Sequence, residues 1–162
     1  MRIPTVTHAL HEWALRLRPG AQGCITGLAR GCLAATFWQS GQTKVEGFAL
    51  NLLQGEWVWG WPRLSDTAVA LFRDEYRLPW LAPAWAAGLA AVAEHVLPVL
   101  LLLGWQTRWA ALLLLGMTLV IQLWVYPGAY MVHGLWAVAL LHLLVHGPGR
   151  WSVDAWCDAH RR

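Results

Sequence analysis

The sequence predicts an all-α integral membrane protein in which four transmembrane helices form a bundle. Its 162 residues are 57% hydrophobic and only 13% charged, whereas a soluble domain has about 25% charged residues. Several long runs carry no charge at all, and about 20 apolar residues suffice to cross a bilayer as a helix. We therefore expect one membrane domain over residues 1–162, with spans at about 22–40, 83–104, 109–126 and 128–146.

Two of these spans contain a charged residue. Glu94 lies in LAAVAEHVLPVLLLLG, and Arg30 lies in GCITGLARGCLAATFWQS, which makes the first span the least apolar. A charge at membrane depth costs roughly 2.5–3.5 kcal/mol on insertion scales, so such residues face the bundle interior and pair with one another. We expect Glu94 rather than His95 to point inward, and to pair with Arg30. The pair would either carry the chemistry or simply join the first two helices.

The segment between the first and second spans is too long for a simple connection. Its WVWGWP sequence favours the membrane interface, where tryptophan is enriched. Ser65 or Asp66 can cap a short helix at about 67–77, and Pro79 limits its extent. One side of this helix is apolar and the other is charged, so we expect it to lie at the interface over the outer end of the bundle.

Four spans place both termini on the same side of the membrane. More arginines flank the spans on that side than on the other, which favours a cytoplasmic location for both termini. The first residues lack the apolar stretch and cleavage site of a secretory signal. We therefore expect the first span to remain as an anchor.

Further polar residues are candidates for ligand contacts. Lys44 is the only lysine and follows the first span directly, so it could bind an anion or a quinone carbonyl, or could simply be solvated. His142 and His146 have the i, i+4 spacing that can chelate a metal. His95, His133 and His142 are therefore candidate metal ligands, although no carboxylate or cysteine accompanies them at matching spacing. The alternative is that these histidines hydrogen-bond water.

Several classes of protein are excluded by the motifs. The chain has no phosphate-binding loop, dinucleotide fingerprint, nucleophile elbow or zinc-protease motif, and its three cysteines form no C-x-x-C pair. A net charge of +3 without a dense basic patch does not indicate nucleic-acid binding.

The segments FWQSGQTKV, LFRDEYRLPWLAP and HGLWAVALLHLLVHGPGRWSVDAW, in this order, resemble the DoxX family of small bacterial membrane proteins. The resemblance implies a four-helix bundle in the bacterial cytoplasmic membrane. The founding members of that family are small subunits of a thiosulfate:quinone oxidoreductase, and other relatives accompany copper-binding peptides of the bufferin type. The family pattern matches Arg30, Lys44, Tyr76, Glu94, Gln122 and Tyr126 among other positions.

Two hypotheses follow from this resemblance. In the first, the chain is a subunit of a quinone-linked membrane redox complex, in which Glu94 with Arg30 handles a proton. Lys44, Tyr76, Gln122 and Tyr126 would then contact the quinone as substrate. No bound-cofactor motif is present, so the electrons would come from a partner subunit or from a thiol or sulfur donor.

In the second hypothesis, the chain is a non-enzymatic membrane partner, or handles a small solute or metal in a copper-peptide system. The Arg30–Glu94 pair would then be structural. Both hypotheses place the chain among membrane lipids, with other redox subunits or further copies of itself as partners. Whether the chain is itself an enzyme stays open between them.

Overall fold

The computed structural model describes residues 6–51 and 55–161, with side chains from residue 20 onward. Six α-helices dominate this described part of the chain. They are α1 (Val6–Gln42), α2 (Asp66–Leu71), α3 (Pro83–Leu103), α4 (Thr107–Val120), α5 (Tyr130–His146) and α6 (Val153–His160). A π-helical turn, Phe72–Tyr76, follows α2, and a second one, Ile121–Val125, follows α4. A 3₁₀ turn, Pro127–Ala129, precedes α5.

Three helical segments of the described chain are long and apolar enough to cross a membrane. They are Pro83–Leu103, Thr107–Val125 and Pro127–His146. Each bound lies within two residues of the predicted one, so three apolar helices of sufficient length are present where spans were predicted. The expected span at 22–40 lies inside α1, which is 37 residues long but is not among the three apolar segments. Its membrane crossing stays a prediction.

The helices pack around one apolar core. α1 packs most extensively against α3, and α4 packs against α5. Side chains from all four helices meet in the centre: Phe37, Leu101, Leu114, Leu140 and Leu143. The opposite faces of α3, α4 and α5 expose leucine, valine and tryptophan. An apolar outer surface of this kind is suited to lipid rather than to water.

The bundle has two ends, which we name by their contents. The end at which α3 leads into α4 and α5 leads into α6 is called the Arg30 end. The end that carries residues 43–51, residues 55–82 and the turn from α4 to α5 is called the loop end. Gly41 lies against Glu94, whereas Arg30 reaches Leu101. α1 and α3 are therefore antiparallel.

The loop end contains strands that an all-α prediction omits. β1 (Val45–Glu46) pairs with β4 (Arg63–Leu64), and β2 (Ala49–Asn51) pairs with β3 (Glu56–Val58), both antiparallel. These strands are two or three residues long. Such segments are too short for alternating hydrophobicity to reveal them.

The predicted short helix at about 67–77 corresponds to α2 and its π-helical turn, at 66–76. The Ser65 hydroxyl oxygen accepts a hydrogen bond from the Thr67 backbone N–H at 3.2 Å and caps the helix. The helix ends where Arg77 adopts a left-handed conformation, with φ of 45°. Its placement at a membrane interface stays a prediction.

Candidate functional site

Glu94, in the middle of α3, forms a buried ion pair with Lys44. The ammonium nitrogen Nζ of Lys44 lies 2.6 Å from Oε2 of Glu94, and the two residues are only 4% and 3% exposed. The expectation that Glu94 points inward is confirmed. Burial in low dielectric makes each charge costly alone, so the two residues depend on each other.

The chain turns back after α1 to place Lys44 inside the bundle. The Lys44 backbone N–H donates to the Gly41 carbonyl at 2.9 Å. Its ammonium group also donates to the Ser40 carbonyl at 3.1 Å and to the Ser40 hydroxyl at 3.0 Å. An ammonium group has three hydrogens, and these contacts together with Glu94 use all of them. Lys44 therefore holds Glu94 in place and has no donor left for a ligand.

The predicted pairing of Arg30 with Glu94 is wrong. The Arg30 guanidinium group donates to the carbonyls of Leu101 and Leu102 at 2.7 Å, at the end of α3. It also donates to the carbonyls of Pro148 and Trp151 at 2.8 Å. Along α3, Leu101 is seven residues from Glu94, which is about 10 Å. The register between α1 and α3 thus puts Arg30 beyond the reach of Glu94.

Arg30 therefore ties α1 to the C-terminal end of α3 and to the turn before α6. The last carbonyls of a helix lack partners within the helix and carry partial negative charge, which favours a cation. Gly104 lies so close that a β-carbon there would stand 2.9 Å from the guanidinium carbon of Arg30. Nearby, the Asp154 carboxylate accepts from the backbone N–H groups of Gln106 and Thr107 at 2.9 and 3.1 Å. The two bonds of Asp154 tie the turn before α4 to the first turn of α6.

His95 has both ring nitrogens engaged. Nδ1 lies 2.7 Å from the Ala91 carbonyl, and Nε2 lies 2.8 Å from the side-chain nitrogen of Gln42. The Gln42 side-chain oxygen in turn accepts from the Leu50 backbone N–H at 2.7 Å. This chain of bonds fits a neutral imidazole that donates from Nδ1 and accepts at Nε2. His95 thus attaches β2 to α3 through Gln42, a role that no local sequence pattern predicts.

A cleft of about 270 Å³ opens beside Glu94, between α3, the end of α4 and the π-helical turn after α2. Apolar and aromatic residues form most of its lining. The lining also includes Tyr76, which carries a hydroxyl group, and Glu94, which carries a carboxylate. Trp80 and Leu89 also line the cleft and are 55% and 58% exposed. The cleft therefore joins the buried carboxylate to the apolar outer surface of the bundle.

Two π-helical turns meet at this cleft. One carries Glu75 and Tyr76, and the other ends just before Tyr126. The Tyr126 hydroxyl donates a short hydrogen bond to the Glu75 carboxylate, and the rings of Tyr76 and Tyr126 lie edge to face at 5.9 Å. π-helical turns are rare and are frequent at functional sites.

The charges near the cleft act on Tyr76. Burial raises the pKa of Tyr76 above its usual value, and the negative charges of Glu94 and Glu75 raise it further. Tyr76 therefore stays a neutral hydroxyl, able to donate or accept a hydrogen bond, throughout the physiological range of pH.

The side chain of Gln122 forms its hydrogen bonds with the α4–α5 turn and with α5, and none with Glu94. Its side-chain nitrogen donates to the Pro127 carbonyl at 2.7 Å, and its oxygen lies 2.8 Å from Nδ1 of the buried His133. The structure thus brings Lys44 and Tyr76 near Glu94 and sets Tyr126 against Tyr76 and Glu75. It leaves Gln122 holding the turn between α4 and α5.

The candidate metal-ligating histidines are dispersed. His142 stacks on His146 with ring centroids 4.4 Å apart, and its Nε2 lies 3.2 Å from the Thr26 hydroxyl. His133 and His95 have the separate partners already given. Among the side chains that the structure describes, in residues 20–51 and 55–161, no three histidine, cysteine or acidic groups come together as a metal site would need.

The family model DoxX matches residues 25–127, nearly two thirds of the chain. The chain belongs to the DoxX family. The matched region runs from α1 to the turn before α5, so it includes Glu94, Lys44, the cleft and Arg30. Comparisons with curated proteins and with solved structures find no match.

The DoxX match stops short of the GPGRWSVD segment, residues 147–154. That segment supplies two of the four carbonyls that Arg30 contacts, together with Asp154.

Ser40, Gly41 and Gln42 form most of the contacts that sequence analysis missed, although they stand in the FWQSGQTKV segment that suggested the family. Their position at the end of the first helix was the available signal.

Proposed function

We propose that this DoxX protein binds the headgroup of a quinone in the cleft beside Glu94, as a membrane subunit of a redox complex in the bacterial cytoplasmic membrane. The observation that carries the proposal is the buried Lys44–Glu94 pair, whose Glu94 lines a mainly apolar cleft. Ionisable residues at membrane depth mark functional sites by default.

The shape of the cleft suits such a ligand. Its volume of about 270 Å³ lies just below the usual range for ligand sites, so it accommodates a headgroup rather than a whole lipid-like molecule. The exposed Trp80 and Leu89 at its lining leave a path along which an apolar tail can extend among lipids. A small number of polar groups in an apolar pocket is the usual arrangement for orienting a ligand.

The polar groups suit the chemistry of a quinone. Its carbonyl oxygens accept hydrogen bonds, and its reduction requires protons at the same oxygens. Tyr76 can donate a hydrogen bond. Glu94, which is ionised beside Lys44, can take up a proton from water and pass it to a reduced quinone oxygen, and can do so again for the second proton. Lys44 then stabilises the carboxylate that remains. The electrons come from a partner subunit or from a thiol or sulfur donor, because the chain itself carries no cofactor motif.

Arg30 has a different part in this proposal from the one that the sequence suggested. Two of its four carbonyl contacts, Leu101 and Leu102, lie about 10 Å or more from Glu94 along α3, and the other two lie in the turn before α6. It therefore stabilises the bundle without contacting the quinone or its protons. Gln122 likewise supports the α4–α5 turn, while Tyr126 acts through Glu75 and Tyr76.

The test measures the binding of a short-chain quinone to the detergent-purified protein through the quenching of tryptophan fluorescence. Trp80 and Trp124 lie at or beside the cleft, with ring centroids 4.7 Å apart. We expect saturable quenching that Glu94→Gln weakens at least about tenfold, equivalent to about 1.4 kcal/mol. Glu56→Gln, which alters an exposed carboxylate on β3, should leave it unchanged.

Two further variants separate binding from folding. Tyr76→Phe removes the hydroxyl and keeps the ring, and Lys44→Met combined with Glu94→Gln removes both charges without leaving one unpaired. Each should keep its helical circular dichroism while binding the quinone less tightly. Quenching that rises linearly and equally in all variants would reflect partitioning into detergent. That result would overturn the quinone site and favour the alternative of a non-enzymatic membrane partner.

A further inference from the structure

We propose a second binding site, at the Arg30 end of the bundle, for the phosphate group of an anionic phospholipid. The site is a cleft of about 600 Å³ between the α3–α4 turn, the α5–α6 turn and α6. It lies at the opposite end from the loop-end cleft beside Glu94. The inference is therefore independent of the proposed quinone binding.

Three arginines line this cleft without a carboxylate partner. Arg108, Arg150 and Arg161 are all exposed and all contribute to the lining. Two ion pairs form among the described residues, Lys44–Glu94 and Arg73–Asp74, and neither involves these arginines. A guanidinium group matches the geometry of a phosphate and can donate to two of its oxygens at once.

The acidic residues of the cleft do not cancel this charge. Asp154 is already occupied, since both of its oxygens accept from backbone N–H groups before α4. Asp158 is exposed on α6. Three arginines against two carboxylates leave an excess of positive charge, which suits one monoanionic phosphodiester.

Arg108 is the best placed of the three. Its guanidinium group donates a long hydrogen bond of 3.4 Å to the Val145 carbonyl. Its guanidinium group lies over Gly147, where a β-carbon would stand 3.5 Å from Nη2. The absence of a side chain at position 147 leaves the guanidinium group open toward the cleft.

The surroundings favour a lipid over free phosphate. Trp105 and Trp109 line the same cleft and are 50% and 64% exposed. They flank the point at which one apolar segment ends at Leu103 and the next begins at Thr107, the position of tryptophan at a membrane interface. Leu102 and Leu103 are also exposed just beyond it. A phosphate held here would have acyl chains alongside α3 and α4, and basic pockets between membrane helices are known sites for lipid headgroups.

The experiment titrates delipidated full-length protein with phosphatidylglycerol and with phosphatidylcholine of the same acyl chains, using native mass spectrometry. We expect phosphatidylglycerol to bind about tenfold more tightly, equivalent to about 1.4 kcal/mol. Arg108→Gln combined with Arg150→Gln should abolish the preference. Arg63→Gln, an exposed arginine at the loop end, should retain it, and circular dichroism should confirm that each variant is folded.

Three results would overturn the proposal. One is equal binding of the two lipids by the wild-type protein, and another is an unchanged preference in the double variant. The third is displacement of phosphatidylglycerol by inorganic phosphate at a comparable concentration, which would identify a site for soluble anions. If the double variant does not fold, Arg161→Gln, near the exposed end of α6, provides the same comparison and should reduce the preference by itself.

Discussion

Gly41 of α1 lies directly against the ring of His95 on α3. A β-carbon at position 41 would stand 2.9 Å from Cε1 of His95 and 3.0 Å from the Glu94 carbonyl oxygen. The first distance is shorter than real β-carbon contacts and the second is unusually tight, so a larger residue at position 41 requires His95 or α1 to shift. The close approach sets the register by which Ser40 and Lys44 meet Glu94.

The first prediction concerns this contact. Gly41→Ala should force α1 away from α3 and lower the free energy of unfolding by about 1–3 kcal/mol, the usual cost of overpacking. It should also weaken quinone binding, because the Lys44–Glu94 pair depends on the same register. Thermal unfolding in detergent measures the first effect and fluorescence quenching the second.

Gly31→Ala is the matched control. Gly31 lies in the same helix, and a β-carbon there would meet nothing within 4 Å. Alanine favours a helix over glycine by up to about 1 kcal/mol, so this change should leave stability unchanged or raise it. Equal effects of the two substitutions would show that the contact of Gly41 with α3 is not important.

The same contact explains where sequence analysis succeeded and where it did not. Hydropathy is a local property, and it placed the three apolar spans within two residues. The partner of Glu94 depends instead on the register between two helices, which Gly41 and the turn at Lys44 determine. A single lysine after a helix suggested a solvated position, since nothing local indicates that the chain folds back into the bundle.

The second prediction concerns the Lys44–Glu94 pair. Lys44→Met alone should destabilise the protein by about 3–5 kcal/mol, because it leaves a buried carboxylate without a partner. Adding Glu94→Leu should recover much of that loss, since two apolar side chains can replace a buried pair. Thermal unfolding of the two single variants and the double variant measures the coupling.

The matched control for this cycle is the exposed pair Arg73–Asp74, whose side chains are each 63% exposed. Exposed ion pairs contribute about 0–1 kcal/mol, so Arg73→Met should have little effect. A double variant at Lys44 and Glu94 that is no more stable than the single variants would contradict a mutual dependence of the two charges.

The third prediction concerns Arg30. Arg30→Lys keeps the charge, but lysine has three donors at one point and cannot span carbonyls from α3 and from the turn before α6. We expect a loss of at least about 3 kcal/mol in unfolding free energy, since more than one charged hydrogen bond disappears. Arg63→Lys, on exposed β4, should be nearly neutral by the same thermal measurement.

Combining Arg30→Lys with Glu94→Gln tests the separation of the two sites. Residues this far apart without shared partners should have effects that add within about 0.5 kcal/mol. A larger coupling energy would restore the direct pairing that the sequence suggested. Arg30→Lys should also leave the affinity for a short-chain quinone unchanged in the folded fraction, unlike Glu94→Gln.

The fourth prediction concerns the tyrosines at the loop end. Burial and the nearby carboxylates raise the pKa of Tyr76, and the hydrogen bond to Glu75 raises the pKa of Tyr126. Both groups favour the neutral phenol in the folded state relative to the unfolded chain, where the pKa is about 10. Their contribution to stability is therefore complete below about pH 10 and is lost as the pH rises through the higher pKa values of the folded state.

Alkaline titration of tyrosinate absorbance measures this effect. The chain has three tyrosines, so the loss of one step is resolvable, and Tyr126→Phe should remove a step that occurs above the usual range. Glu75→Gln should move that step downward, because a neutral amide oxygen is a weaker acceptor for the hydroxyl than the carboxylate and does not repel the phenolate. Glu56→Gln should leave the titration unchanged, since Glu56 lies on exposed β3. If Glu75→Gln left the step of Tyr126 where it was, the hydrogen bond between these residues would not control the tyrosine, and the link from Glu75 to the cleft would be lost.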